Sequence, residues 1–341
     1  MSIPSTTQEY YYPKLGSYRN LKIREQPVKK PHANEVLVKV HAVSLQYRDF
    51  AISNRSYPVA PESDLVPCSD MSGEIISVGE DVKDWKKGDR VCANFSTDHL
   101  YGDTDPKIIA TSLGGQSPGV LTQYRTFPDH ALVHIPKHLS YEEASTLPCA
   151  ALTAYDALYG PKPLKAGDTV LVLGTGGVSI FALQFAVAAG AVVIATSSSD
   201  EKLKISAKLG AKHLINYKKT PKWDQEVSKI TNGRGVDHVI EVGGQGTLPR
   251  SISAARIGGS VHDSADSDIV LPLISKAITV RGIYISSVAK FKDMNRLIEA
   301  NPDKTKPVVD KVFPFEKAVD AYAHLESQSH VGKIVIKVSK D

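Results

Sequence analysis

A chain of 341 residues with 42% hydrophobic and 23% charged residues is too long for one compact core and has an ordinary globular composition, which excludes disordered, collagen-like and repeat-array proteins. Forty-one Lys and Arg against 37 Asp and Glu leave a net charge of +4, with no like-charge run beyond a loose cluster such as Lys218, Lys219 and Lys222, so neither nucleic acid nor a membrane is an expected partner. The longest apolar stretches, such as residues 186–195, fall short of a bilayer span, the chain opens without a signal pattern, and Cys68, Cys92 and Cys149 lack C-x-x-C spacing; the expectation is a cytoplasmic protein with reduced thiols.

The first 130 residues read as short β-rich pieces separated by turns. Strands are predicted at 35–43, 73–78 and, after the Lys87-Gly88-Asp89 turn, 89–93, giving an antiparallel or barrel-like domain. From about Ser140 helix and strand alternate: a helix over 141–158, then strands at 169–173, 192–197, 213–217, 236–242 and 278–285, with a weaker one at 259–262. Ser199 caps a helix that Gly210 follows, and Thr220 with Pro221 starts another that leaves through Asn232-Gly233. That rhythm predicts a parallel doubly wound sheet. The last fifty residues revert, with a strand at 308–312, an amphipathic helix at 315–326 and a strand at 333–338 that return to the first domain.

The densest motif is Val170-Leu-Val-Leu-Gly174-Thr175-Gly176-Gly177-Val178-Ser179, an apolar strand turning through glycines into a helix over 178–189. Gly174 permits the turn, Gly176 lets a pyrophosphate approach the backbone, and the amides at the helix start bind the anion. Ser179 stands where the third glycine of G-x-G-x-x-G falls. NAD sites place an acid at the end of the second strand, but here the chain reads Ala195-Thr196-Ser197-Ser198-Ser199. Ser197, Lys202 and Tyr217 are the expected seat of a 2′-phosphate, so the cofactor expected is NADPH; Asp200 and Glu201 count against it.

At this point the sequence resembles the medium-chain dehydrogenase/reductase superfamily, specifically its quinone oxidoreductase-like and zinc-free alcohol dehydrogenase-like members. The resemblance rests on Gly73-Glu-Ile-Ile-Ser-Val-Gly79-Glu-Asp-Val82, Lys87-Gly88-Asp89-Arg90-Val91, Leu147-Pro148 through Leu152-Thr153-Ala154-Tyr155, the glycine loop, and His330-Val331-Gly332-Lys333-Ile334-Val335. It implies an α/β protein: a GroES-like substrate domain over 1–127 and 286–341 and a Rossmann NADPH-binding domain over 128–285, with the active site in the cleft between them. It further implies that Thr153 touches the nicotinamide, that residues 282–284, including Ile283 and Tyr284, line its other side, and that residues 331–333, ending at Lys333, close over the cofactor.

Zinc-using members of that superfamily hold the metal with Cys, His and Cys. At the matching positions this chain has Gln46, Ser69 and Cys149, a poor zinc shell, and the four-cysteine structural lobe is replaced by the glycine-punctuated stretch 96–120. No metal is expected; a zinc site would have to use Cys149, Asp70 and Cys68. Without a Lewis acid, hydrogen-bond donors suffice if the substrate delocalises the charge, as enones, enals and quinones do. Candidate proton donors are Tyr57, where the related enoyl reductases carry a tyrosine, and Tyr47; Asp49 is expected to anchor its turn, and His99 and His262 could approach the cleft.

The expectation is therefore a zinc-independent, NADPH-dependent reductase of a small electrophile, a quinone or α,β-unsaturated carbonyl, assembled as a homodimer by pairing the 278–285 edge strand. The alternatives are an alcohol or aldehyde dehydrogenase with an atypical or absent zinc site, and a catalytically silent nucleotide-binding protein.

Overall fold

The structure, a computed structural model, describes residues 3–57, 63–262 and 269–339. Its contacts separate two compact units: Met1–Leu152 with Ile285–Ala300 and Pro307–Asp341, and Thr153–Tyr284 with Asn301–Lys306. They divide at 152/153, later in the chain than the 127/128 division that the family resemblance implies.

The first unit opens with an antiparallel hairpin of β1 (Thr6–Tyr11) and β2 (Lys22–Pro27), which the sequence reading left without an element. There follow β3 (Glu35–Ser44), α1 (Tyr47–Ser53), β4 (Asp70–Val78), β5 (Arg90–Ala93), α2 (Pro106–Ala110), β6 (Tyr124–Pro128), β7 (Leu132–His134) and α3 (Tyr141–Ala144). The predicted helix over 141–158 is in fact broken. Pro148 has no N–H to donate, and its ring crowds the carbonyl four residues back, at Ala144, where α3 ends. A π-helical turn at Leu147–Ala151 leads into α4 (Leu152–Tyr159). Residues 132–151 stay with the first unit because β7 pairs with β5, Ser72 Oγ donates to the Tyr141 carbonyl, and the Cys149 amide donates to Asp70.

The second unit continues with β8 (Thr169–Val172), α5 (Gly177–Ala188), β9 (Val192–Ser197), α6 (Asp200–Lys208), β10 (His213–Asn216), α7 (Trp223–Ile230), β11 (Val236–Ile240), α8 (Leu248–Ala254), β12 (Ala255–His262), α9 (Val270–Lys276) and β13 (Thr279–Val280). Its six strands run parallel in the order β10-β9-β8-β11-β12-β13, the order of a Rossmann sheet with its topological switch between β8 and β11. Two boundaries correct the sequence reading. Helix α7 starts at Trp223 with Lys222 as its cap, since the Asn216 carbonyl closes a turn over Lys219 and Thr220. The strand expected over 278–285 pairs only at Thr279–Val280, because Arg281 is drawn to Asp156 and the backbone turns left-handed at Ile285, φ 53°.

The chain then gives α10 (Val288–Ala300), β14 (Val309–Pro314), α11 (Ala318–Glu326) and β15 (Lys333–Lys337). The tail does return to the first unit: β14 and β15 are parallel, and β15 lies antiparallel to β3. The seven-stranded sheet runs β14-β15-β3-β4-β5-β7, with β6 on the first half of β3. Val36, Val38, Val40 and Val43 of β3, Met71 and Ile75 of β4, and Ala318, Ala321 and Tyr322 of α11 build its core. Close backbone approach explains Gly79, where a Cβ would stand 2.0 Å from the His32 carbonyl oxygen.

Helix α5 is apolar on every side, with Ile180, Phe181, Leu183 and Phe185 buried. Its one large polar side chain, Gln184, donates to the Lys306 carbonyl at 2.6 Å, which ties residues 301–306 to this unit. On one sheet face His238 and His262 stack with ring centroids 6.0 Å apart, and neither ring nitrogen of His262 has a partner. Burial pushes the His262 imidazole down to about 3. A folded-state value below the unfolded 6.5 means that the unfolded chain takes up a proton the native state refuses, so stability falls as pH drops from about 6.5 towards 3. We expect the unfolding free energy from urea titrations to decline across pH 6.5 to 5 with a slope that approaches about 1.4 kcal/mol per pH unit. His262→Leu should flatten that part of the profile; an unchanged slope would mean that another group titrates.

Candidate functional site

Strand β8 delivers its chain to a glycine turn. Gly174 adopts φ +73°, a conformation that disfavours any side chain, and a Cβ built on Gly174 or Gly176 would meet nothing within 4 Å. The loop therefore borders open space rather than packed protein. Thr175 follows Gly174, and Gly177 and Val178 begin α5 with Gly176 as its cap. No side chain accepts the cap hydrogen bond, which leaves the first-turn amides to a ligand. Ser179 Oγ donates to the Leu173 carbonyl at 2.6 Å, so the residue replacing the third glycine ties the helix to the strand. The Gly174 amide is held by Thr196 Oγ1 of β9 at 3.3 Å. A nicotinamide dinucleotide fits this cradle by its pyrophosphate.

The ends of β9 and β10 bring the next set together. The Tyr217 amide donates to the Ser197 carbonyl at 3.0 Å, and Tyr217 is 40% exposed. Ser197 is buried; its Oγ accepts from the Ser199 amide, and Ser199 Oγ in turn accepts from the Lys202 amide as the cap of α6. Asp200 is turned aside: it accepts from Asn216 Nδ2 at 2.6 Å and pairs with Lys219, and these partners hold its carboxyl below the usual range. Elsewhere in this unit Arg281 donates to Asp156 Oδ2 at 2.5 Å and to the Asp156 carbonyl, which ties the segment carrying Ile283 and Tyr284 to α4, whose second residue is Thr153. Glu241, which the sequence reading passed over, organises the turn after β11 by accepting from the Gly243 and Gly244 amides, Thr247 Oγ1 and Ser251 Oγ.

In the first unit, residues far apart in sequence meet around a carboxylate. Asp70 is fully buried; its Oδ2 accepts from Gln46 Nε2 at 2.5 Å and from the Cys149 amide at 3.0 Å, and its Oδ1 accepts from Ser69 Oγ at 2.6 Å. Burial raises the Asp70 carboxyl, while the Lys333 ammonium and these hydrogen bonds pull it down. Lys333, 4% exposed, donates to the Leu45 carbonyl, and burial lowers its ammonium. Asp49 caps α1 by accepting from the Gln46 amide at 2.8 Å, as expected of an anchoring residue, and burial lifts its carboxyl to about 7. Burial also drives the Cys149 thiol well up, with the Asp70 charge adding to the effect.

This donor set does not fit zinc. Gln46 and Ser69 turn their donors on Asp70, both Asp70 oxygens are occupied, and Cys149 is held as a thiol rather than a thiolate. Cys68 instead lies 3.4 Å from the Tyr322 hydroxyl, its backbone left-handed at φ 70°. Among the described residues no group of three His, Cys, Asp or Glu side chains could hold a metal ion.

Of the candidate proton donors, Tyr47 opens α1 and Tyr57 follows it. Tyr47 is 66% exposed, and Tyr57 packs under the Arg48 guanidinium, 5.3 Å from its ring centroid. The neighbouring Pro58 lies outside the described residues. Arg48 also donates to the Leu113 carbonyl at 2.9 Å, which fixes the stretch 96–120 to α1. His99 is buried on the Gly102 carbonyl, and His262 lies within the parallel sheet.

Comparison with known proteins agrees with this construction. The family described as an alcohol dehydrogenase GroES-like domain matches residues 32–137, and that described as a zinc-binding dehydrogenase matches residues 177–300. The chain is 48% identical to a zinc-type alcohol dehydrogenase-like protein of Schizosaccharomyces pombe over 95% of this chain and 97% of the relative. It is 33% identical to a 2-methylene-furan-3-one reductase of Solanum lycopersicum over 98% of this chain and 80% of that protein. A crystal structure of a putative alcohol dehydrogenase from Sinorhizobium meliloti superimposes with a TM-score of 0.92 at 36% identity, covering 99% of this chain and all of that one. The chain therefore belongs to the medium-chain dehydrogenase/reductase superfamily, an oxidoreductase built of a GroES-like domain and a Rossmann domain for a nicotinamide cofactor.

Proposed function

We propose that the protein is a zinc-independent reductase that uses NADPH to reduce quinones or the C=C bond of α,β-unsaturated carbonyls. The observation that carries this reading is the occupied Asp70 carboxylate, whose donors are the side chains and backbone that would have to turn outward to hold a metal. Charge created by hydride transfer then has to be spread by the substrate itself and met by hydrogen bonds, which conjugated acceptors allow. The relative named for reduction of a methylene-furanone, itself a conjugated ketone, supports the same class.

The preference for NADPH rests on the strand ends. Ser197 and Tyr217 are brought together, Lys202 lies in the first turn of α6, and Asp200 is engaged by Asn216 and Lys219, so no free acid waits at the end of β9 for a ribose 2′-hydroxyl. The bound reduced nicotinamide supplies the hydride. The glycine loop orients the pyrophosphate, and Tyr57, Tyr47 or a water supplies the proton that completes the reduction. A dimer across the free edge of β13 belongs to this reading, because the adjoining α9 exposes Val270, Leu271 and Ile274. The second reading, an alcohol or aldehyde dehydrogenase, is favoured by the name of the Schizosaccharomyces pombe relative.

Oxidation of NADPH and NADH followed at 340 nm against quinones, enals, enones and simple aldehydes, with and without chelator, separates the two. We expect turnover of conjugated acceptors that is indifferent to chelator; chelator-sensitive turnover of simple aldehydes would support the dehydrogenase. Lys202→Ala should raise KM for NADPH about 10-fold and leave KM for NADH unchanged, the loss expected of one charge-assisted contact. Equal effects on both cofactors would remove Lys202 from the 2′-phosphate site. Tyr57→Phe should lower kcat by about 100-fold with KM for NADPH unchanged if Tyr57 is the proton donor; an unchanged kcat would leave the role to Tyr47 or water.

A further inference from the structure

We propose that the first unit carries a ligand site of its own, a cavity beside β6 that takes an organic monocarboxylate on Arg125 and Lys29. The cavity has a volume of about 460 Å³ and is lined from the β1–β2 hairpin, from Pro118 and Gly119, and from β6, all within this unit. That volume is in the range of small-molecule sites. The proposal goes beyond the reductase reading and does not depend on it.

Arg125 stands on β6 opposite Val38 of β3, and its Nη1 donates to the Pro118 carbonyl at 2.6 Å and to the Gly119 carbonyl. Its guanidinium also lies 5.2 Å from the centroid of the buried Phe127 ring. These contacts fix the head of the side chain, but they are two neutral carbonyls and a ring. Among the described residues no carboxylate pairs with Arg125. Its Nε is buried without a partner, and no described hydrogen bond uses Nη2. With Nη1 taken and Nε closed to solvent, Nη2 is the donor left for a ligand. Burial pushes the guanidinium down to about 10, against the pull of the Glu9 and Glu35 charges. A cation that has lost water and gained no counter-charge is stabilised by an anion that comes to it.

The rest of the wall sets the class of anion. Arg24 also lines the cavity, but it is engaged: it donates to Glu9 Oε1 at 2.7 Å and pairs with Asp64, both on the same wall. Those three side chains leave one net negative charge, and Arg125 with the exposed Lys29 turns the wall net positive by one. A single carboxylate matches that charge, and its geometry suits a guanidinium. A phosphate dianion would exceed it and meet the Glu9 and Asp64 charges. Gln26 and Thr126 make no side-chain hydrogen bond among the described residues and offer polar contacts beside Arg125, while Leu37 and Val66 offer an apolar wall to the body of the ligand.

The test is calorimetric titration of the full-length protein with benzoate, with its neutral isostere benzamide and with inorganic phosphate. Wild type should bind benzoate saturably and benzamide about 10-fold more weakly or less, the difference that one charge-assisted hydrogen bond makes. Arg125→Met should weaken benzoate by about 10-fold or more, and Lys29→Met, which removes an exposed charge, by about 3-fold. Lys30→Met, at a neighbour that does not line the cavity, should leave the affinity unchanged. Benzoate should raise the Tm of the wild type and not that of Arg125→Met. Lys29 is exposed, so the comparison of Lys29→Met with Lys30→Met decides even where Arg125→Met does not fold. The proposal is overturned by a wild type that binds no benzoate, by equal affinities in Lys29→Met and Lys30→Met, by unchanged affinity in a folded Arg125→Met, or by phosphate or benzamide binding more tightly than benzoate.

Discussion

A carboxylate removed from water must find donors or it destabilises the protein that buries it. Asp70 at the start of β4 meets that requirement with a side chain from the cap of α1, a hydroxyl from its own neighbour and a backbone amide from the π-helical turn at Cys149. These groups come from positions 46, 69 and 149, and the ammonium that offsets the charge comes from 333, in the tail. The first unit is thus closed around one charge by four separated segments. The same demand accounts for the return of the C-terminus: β15 lies beside β3, and its first residue, Lys333, must reach the Leu45 carbonyl. Breaking one partner leaves an uncompensated buried group, and such losses are of the order of 3 kcal/mol or more.

The second unit solves the opposite problem, how to leave polar groups unsatisfied on purpose. Its α5 is so apolar that packing alone holds it, and Ser179 adds one bond to the strand it follows. The helix start can then keep its amides uncapped without loss of position, and the glycines before it keep the approach clear. In the same unit Thr196 holds the Gly174 amide, Ser199 caps α6, and Glu241 gathers four donors in the turn after β11. An anion is the missing partner that such an arrangement admits.

Much of this was legible in the sequence because it is local. The strand before Gly174, the helix after it, the cap at Ser199 and the turn at Asn232-Gly233 are each written in a few adjacent residues, and the alternation of such pieces predicts the parallel sheet. The break at Pro148 could also have been read, since a proline four residues after Ala144 removes the helix that composition favours. The early start assigned to α7 and the overlong strand at 278–285 failed for another reason. A local turn closed by Asn216 outcompeted the cap signal at Thr220, and an ion pair between Arg281 and Asp156, 125 residues apart, overrode the strand signal. The residue types at 46, 69 and 149 are legible in the sequence, but what Gln46, Ser69 and Cys149 do depends on their meeting at Asp70, which no spacing in the chain reveals.

The proposed zinc-independent reading has a chemical consequence. A divalent cation stabilises a localised alkoxide by several kcal/mol, more than one or two neutral donors can give to the same charge. Neutral hydrogen-bond donors give less, and they are adequate where the substrate spreads the charge over several atoms. On the proposed reading, substrates are therefore selected through their electronic structure and not only through their shape. Isolated aldehydes and ketones give a localised alkoxide and ask for more stabilisation than neutral donors supply, while conjugated acceptors spread the charge themselves. On the proposed reading the same cluster leaves little for a metal, because Gln46, Ser69 and the Cys149 amide are each engaged in holding Asp70.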